Sequence, residues 1–365
     1  MTARWGILLA VTFLLGAVAA DAQQPQTEVR ELRAAQVDYE GCEAVTWVPM
    51  QAEVVWVDPA GMRVDGALDD WPAAAAGFDV GALDDPADLS ARAMLVLSRH
   101  SLYLACVVRD DVHVNREFFD TIWNGDSVQF ALDPLCDRRK GAYAGDDHEI
   151  GVALTQVGVM AWGWQRSGVF TRAPMTYAEA AVLRDDEAGT TTYELRVPIA
   201  ELWPLQPAAM PYCGFDIIVN DADHRHRDGS VDWTGALTSG KDPAAFGVLR
   251  FPRAELAEAQ PLAGWVELPD GPRPVEDGAP WYVTFRSVAA ETLELELGGW
   301  VESGPMEDTP VAWRTELALP PGLSRWELRP DLAGIAPARI TILPRLPAGY
   351  PTLHPTTNPF TVYVY

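Results

Sequence analysis

Apolar and polar residues alternate in short runs from Met62 to Pro252. The runs are ARAMLVL, SLYLACVV, DSVQFALD, HEIGVALT, GVMAWGW, TYELRVPI, GFDIIVND and FGVLRF. Turn-forming residues separate them, and this spacing predicts an all-β chain folded as an antiparallel β-sandwich. Helix is expected to be minor, with a single turn at IAELWPL from Ile199. In TIWNGDSVQFALDP, Val128, Phe130 and Leu132 fall on one face of a strand, and Ser127, Gln129 and Ala131 on the other. Trp123 precedes that stripe in a polar lead-in, either as a core tryptophan at a strand entry or as an exposed platform.

The same alternation returns from Trp281 to Tyr365, where Leu293, Leu295 and Leu297 of TLELELG share one face and the glutamates the other. This stretch predicts a second, smaller β-sandwich. The reading divides the chain into a signal peptide (1–22), an N-terminal extension (23–59), a sandwich (60–252), a Pro-rich linker (253–279) and a C-terminal sandwich (280–365).

Composition narrows the partners. The 365 residues carry a formal charge of -25, so a nucleic acid or an anionic membrane surface is a poor match. Hydrophobic residues make up 48%, which supports buried cores rather than disorder. Arg4, the apolar run Gly6–Ala20 and the small-x-small sequence Ala20-Asp21-Ala22 form an export signal. The expected location is therefore secreted, periplasmic or cell-surface, with no membrane insertion after cleavage. Four cysteines, Cys42, Cys106, Cys136 and Cys213, allow two disulfides in an oxidising compartment. Cys106 in LYLACVV also suits a small buried side chain.

Several groups bear candidate chemistry. Asp110 and Asp111 close one strand, Asp126 opens another, and Asp221 and Asp223 close a third. Oxygens gathered at one rim suit a structural calcium ion. The ordinary alternative is turn capping by aspartate. Trp162 and Trp164 lie two apart and point the same way, either into the core or toward a ligand. HRHRDG, from His224 to Gly229, reads as a solvated loop, because its two histidines lack a third metal ligand at a recognisable spacing. DDHE, Asp146 to Glu149, contains a carboxylate pair of the kind glycosidases use, but such pairs arise readily in a chain with 52 acidic residues.

Five motifs occur in order: VDGALDDWPAA, VVRDDVHVN, WNGDSVQFALD, GFDIIVNDADHRHRDG and KDPAAFGVLRF. Together, over roughly residues 60–252, they resemble the family 9 carbohydrate-binding modules of xylan-degrading enzymes. The resemblance implies a β-sandwich that binds the end of a sugar chain, with bound calcium in the better-known members. It also implies that Trp123 stacks on a sugar ring, that Gln129 stands where an acidic residue meets sugar hydroxyls, and that Asn220 and Asp221 match the family's Asn-Asp. Three departures stand out. The loop from Thr234 to Gly247 has no second clamping tryptophan, DDHEIGVAL has no arginine, and Ile218 replaces a glutamine.

The expected function is an exported, non-catalytic carbohydrate-binding protein that holds a polysaccharide or sugar chain end by aromatic stacking at Trp123. The alternative is a structural or protein-interaction module of the cell envelope whose sugar site has decayed. An electron-transfer domain with haem between Met160 and His148, and a glycoside hydrolase, are further readings.

Overall fold

The computed structural model describes residues 28–37, 50–75, 77–166, 172–208, 210, 212–252, 262–267, 281–303, 311–331, 338–345 and 360–364. The export-signal stretch and Cys42 lie outside these residues.

Two sheets face each other across the main core. One runs in the order Ala173–Pro174, Gly158–Gln165, His148–Thr155, Ser127–Asp133, Tyr212–Asp221, Gly247–Arg250, Gln51–Glu53, and Gly229–Asp232 pairs with Tyr212–Asp221. The other runs Glu179–Asp185, Thr190–Pro198, Ser101–Asp110, Leu89–Leu97, Val55–Trp56, and Phe78–Ala82 pairs with Leu89–Leu97. Val128, Phe130 and Leu132 project between the sheets, as the alternation requires, and meet Leu95, Leu104 and Phe215 there. Each such side chain contributes about 1.5–3 kcal/mol relative to exposure.

The pairing departs from a purely antiparallel sandwich at one edge. Gln51–Glu53 pairs in parallel with Gly247–Arg250, and Val55–Trp56 pairs in parallel with Leu89–Leu97. Val54, between these two short strands, is buried in the core. The segment crosses from one sheet to the other at Val54, and no hairpin turn ties it to a neighbour, so antiparallel pairing is not imposed on it. Residues that the sequence assigns to an N-terminal extension thus close both sheets.

A third set of strands runs Leu262–Glu267, Trp281–Ser287, Gly322–Pro330, Glu28–Val37, Val311–Leu319, Leu293–Ser303, Ala338–Arg345, Phe360–Val364. Residues 28–31 pair in parallel with Val311–Arg314, and residues 32–37 pair antiparallel with Arg325–Pro330. The first strand of the chain therefore joins the last sheet, and a strand forms within the Pro-rich stretch that reads as a linker. Leu293, Leu295 and Leu297 are buried. Arg286 donates from Nε to Leu135 O at 2.5 Å and from Nη2 to Cys136 O at 2.6 Å, joining this sheet to the loop after Ser127–Asp133.

Helical structure among the described residues is short 3-10 turns, including Ile199–Leu202 and Phe119–Asn124. No helix there is long and apolar enough to cross a membrane. Cys106, Cys136 and Cys213 are buried free thiols. Burial pushes the Cys106 and Cys136 thiols up to about 12.

Candidate functional site

Trp123 sits in the 3-10 turn Phe119–Asn124, and its orientation follows from the residue before it. Ile122 is fully buried and anchors the turn, which sends the adjacent indole outward at 38% exposure. Asn115 braces the turn from beneath, donating through Nδ2 to Ile122 O and to Asp126 O, both at 2.9 Å. Gly125 permits this approach. A Cβ there would lie 2.8 Å from Asn115 Cγ and 2.9 Å from Val114 O. The glycine of WNG is thus a steric requirement of the platform's mounting.

Beside Trp123 lies the outer face of the larger sheet. Gln129 faces Gly151 across the ladder, and Gly151 faces Trp162. Ala161 of the same strand packs on the inter-sheet core, so Met160, Trp162 and Trp164 turn outward. Both tryptophans are half-buried on this outer face, and of their two open readings the core one is not realised. Trp164 lies over Gly151. A Cβ there would stand 2.5 Å from the indole Cζ3 and 3.2 Å from Gln129 Cγ. Trp164 Nε1 donates to Asp120 O at 2.8 Å and ties the strand to the Trp123 turn. Trp162 packs edge-on against Phe119, with centroids 5.7 Å apart, and its Nε1 is buried without a hydrogen-bond partner.

Asn220 joins this face from the neighbouring strand, donating through Nδ2 to Ser127 Oγ at 3.0 Å. Its Oδ1 accepts from Arg227 Nη1 at 2.9 Å. The Arg227 guanidinium carbon in turn lies 5.1 Å from the Trp123 ring centroid. Arg227 N donates to Asn124 O at 2.8 Å, so the HRHRDG loop is pinned to the turn that carries Trp123. Sequence reasoning takes this loop as mere solvated chain. The usable signal was its position directly after the Asn-Asp strand end.

Asp221 departs from the expected grouping. Alternation along Tyr212–Asp221 places it on the opposite face from Asn220, among the aspartates of the rim. Burial and then the charges of Asp110, Asp88 and Asp223 push its carboxyl up to about 7.

The expected metal ligands fall into two groups. Asp110 and Asp126 gather with His113, and Asp111 and Asp223 gather with Asp88. In the first group the carboxylates are already engaged. Asp110 accepts from Val112 N at 2.8 Å and meets Arg184 Nη1 at 3.5 Å, and Asp126 accepts from Val114 N and from Ala222 N. Burial, then the Asp110 charge, pushes Asp126 up to about 9. These bonds tie the strand-end segments around Asp110 and Asp126 together. The second group offers only oxygen ligands. Asp223 Oδ1 and nearby Asp221 Oδ1 are buried without a hydrogen-bond partner. An all-carboxylate set with orphaned oxygens fits a hard cation such as calcium. A further group, Asp133, Asp146 and Asp147, is wholly buried.

His148 and Met160 are not brought together. Met160 pairs with Ala153, five residues along the strand from His148, or roughly 16 Å at the rise of a β-strand. His148 Nε2 bonds Trp203 O at 2.8 Å, and Met160 Sδ accepts from Phe119 N at 3.0 Å.

Residues 64–253 match the family described as carbohydrate family 9 binding domain-like. The chain belongs to this family. Two solved family 9 modules from Caldicellulosiruptor kristjanssonii are similar to this chain. One, in complex with cellotriose, is 20% identical with a TM-score of 0.44, covering 55% of this chain and 93% of its own. The other, in complex with glucose, is 19% identical with a TM-score of 0.43, covering 55% and 95%. No curated protein matches the chain.

This family 9 module differs from the expected pattern for a physical reason visible in its Thr234–Gly247 loop. Ala236, Leu237 and Phe246 of the loop pack on Ala131 and Ile218 of the outer face. Ile218, in place of a glutamine, supplies the apolar seat. VDGALDDWPAA has a structural role as well, since Trp71 Nε1 donates to buried Glu194 Oε1 at 2.9 Å.

Proposed function

We propose that this chain is an exported, non-catalytic saccharide-binding protein whose site is the outer-face surface around Trp123. One observation carries the reading. A half-exposed indole on a braced turn stands beside the polar group of Ser127, Asn220 and Arg227, with Trp162, Trp164 and Gln129 further along the same face. A pyranose has an apolar C–H face that an aromatic ring covers and a hydroxyl rim that amides and hydroxyls meet. Binding of this kind needs no proton transfer.

Calcium at Asp88, Asp111 and Asp223, with Asp221 beside them, would offset the negative charge gathered there and hold the strand-end loops. The residues nearest the saccharide would not touch it.

The test is retention on immobilised polysaccharides by the full chain and by Trp123→Ala, with circular dichroism to verify folding. Loss of retention in a folded variant supports the site. Undiminished retention removes Trp123 from it. The loop packing at Ala236, Leu237 and Phe246 favours a second reading, a protein-interaction module of the cell envelope. Thermal stabilisation by a panel of sugars separates the two, because only a binder gains stability from its ligand.

A further inference from the structure

We infer that the Trp123 site selects acidic saccharides, those with a carboxylate on the ring, over neutral ones; this rests on the saccharide reading above. The inference starts from the cation that lies over Trp123. The chain has 52 acidic and 27 basic residues, so a basic side chain has many carboxylates to pair with. Arg63, Arg92, Arg166, Arg184 and Arg196 of the sandwich do so. Arg227 has no carboxylate partner among the described residues. Its guanidinium makes one side-chain hydrogen bond, from Nη1 to the neutral amide oxygen of Asn220, and lies over the Trp123 ring.

That geometry leaves an exposed planar cation fixed at two points, with Nε and Nη2 not engaged. The indole face and the Asn220 amide orient it, and the bond from Arg227 N to Asn124 O holds its backbone. A guanidinium fixed in this way is preorganised for two parallel bonds to a carboxylate. The polar groups linked to it, Asn220 and through it Ser127, are neutral and present no repulsion to an anion. Glu117 lies near this loop, where its Oε1 accepts from Asn124 Nδ2 at 3.4 Å, and its charge works against an anion. The overall charge of -25 opposes anion capture at long range, but that field is screened over about 8 Å at physiological salt, so contact chemistry governs the bound state. A neutral sugar faces a cost that an acidic one avoids. Either sugar must share the indole with the guanidinium, but the neutral one gives it no counter-charge.

The experiment is calorimetric titration of the full chain with matched pairs of oligosaccharides. Suitable pairs are oligogalacturonate with its neutral galactan counterpart, and glucuronate-branched xylotriose with unbranched xylotriose. Wild type, Arg227→Gln and Arg227→Lys are compared at low and high sodium chloride, after dichroism confirms folding. The expected result is affinity for an acidic member about tenfold or more above its neutral partner, as befits a charge-assisted bidentate bond. Salt weakens that binding. Arg227→Gln brings the acid-to-neutral ratio toward one, and Arg227→Lys recovers part of it. A neutral member bound as well as its acidic partner overturns the inference and leaves the saccharide reading standing. A preference for the acid that survives in Arg227→Gln also overturns it. Binding of no sugar of either kind overturns both.

Discussion

Lys241 Nζ lies 2.7 Å from Glu149 Oε1 and 2.6 Å from Oε2, while the Glu149 side chain is only 3% exposed. The loop from Thr234 to Gly247 is thereby bolted onto the outer face next to Gly151. Lys241 itself is half-exposed, so solvent screens the attraction. The larger effect lies in what removing Lys241 leaves behind, a carboxylate without its partner inside the fold. Lys241→Met is expected to destabilise by about 1–3 kcal/mol in urea unfolding. The double variant Glu149→Leu/Lys241→Met should recover most of the loss. A double variant as unstable as the single one would show that the loop depends on something other than this pair.

Gly151 is the only residue type that lets Trp164 cross its strand. An added methyl meets Cζ3 at 2.5 Å and the neighbouring Cη2 at 2.6 Å. Gly151→Ala is expected to displace the indole, cost about 1–3 kcal/mol and weaken saccharide retention. Tryptophan fluorescence and retention on the same matrices check both outcomes. An unchanged spectrum and unchanged stability would mean that the indole yields without cost.

The rim aspartates are expected to make stability depend on pH and, through the proposed ion, on calcium. Asp126 is held up to about 9 and Asp221 up to about 7, each first by burial. Both titrate near the ordinary aspartate value once unfolded. Between that value and their folded values, the folded chain binds more protons than the unfolded one. Their effect is therefore a stability present at low pH and lost as pH rises through about 7 to 9. His148 acts in the other direction. Burial pushes it down to about 4, so its neutral form favours the fold and stability is lost as pH falls from about 6.5 toward 4. With a chelator present, Tm should decline from pH 6 to pH 9. Calcium should flatten that decline by stabilising the ionised carboxylates around Asp88, Asp111 and Asp223. Identical profiles with calcium and with chelator, measured by scanning calorimetry, would remove the metal from this rim.

The strands were legible because a period of two needs only local information. Val128, Phe130 and Leu132 show it in the main sandwich, and Leu293, Leu295 and Leu297 show it in the C-terminal stretch. The WNG turn pointed to Trp123 in the same local way, through a glycine and an asparagine beside an indole. Asp221 was misplaced because the adjacent Asn-Asp pair was read as one unit, although strand alternation sends the two side chains to opposite faces. The rim aspartates were individually visible, but their division between Asp110 with Asp126 and Asp111 with Asp223 depends on how the strand ends approach one another.

By itself the sequence determined the all-β character and which residues of a strand share a face. Each of these follows from spacing along a single segment. Only the tertiary structure decided that residues 28–37 and 51–56 complete distant sheets, that Ile218 seats the Thr234–Gly247 loop, and that Arg227 covers Trp123. These are meetings between segments distant in sequence or joined through irregular loops. Their geometry is set by strand order and loop path, for which alternating hydrophobicity carries no signal.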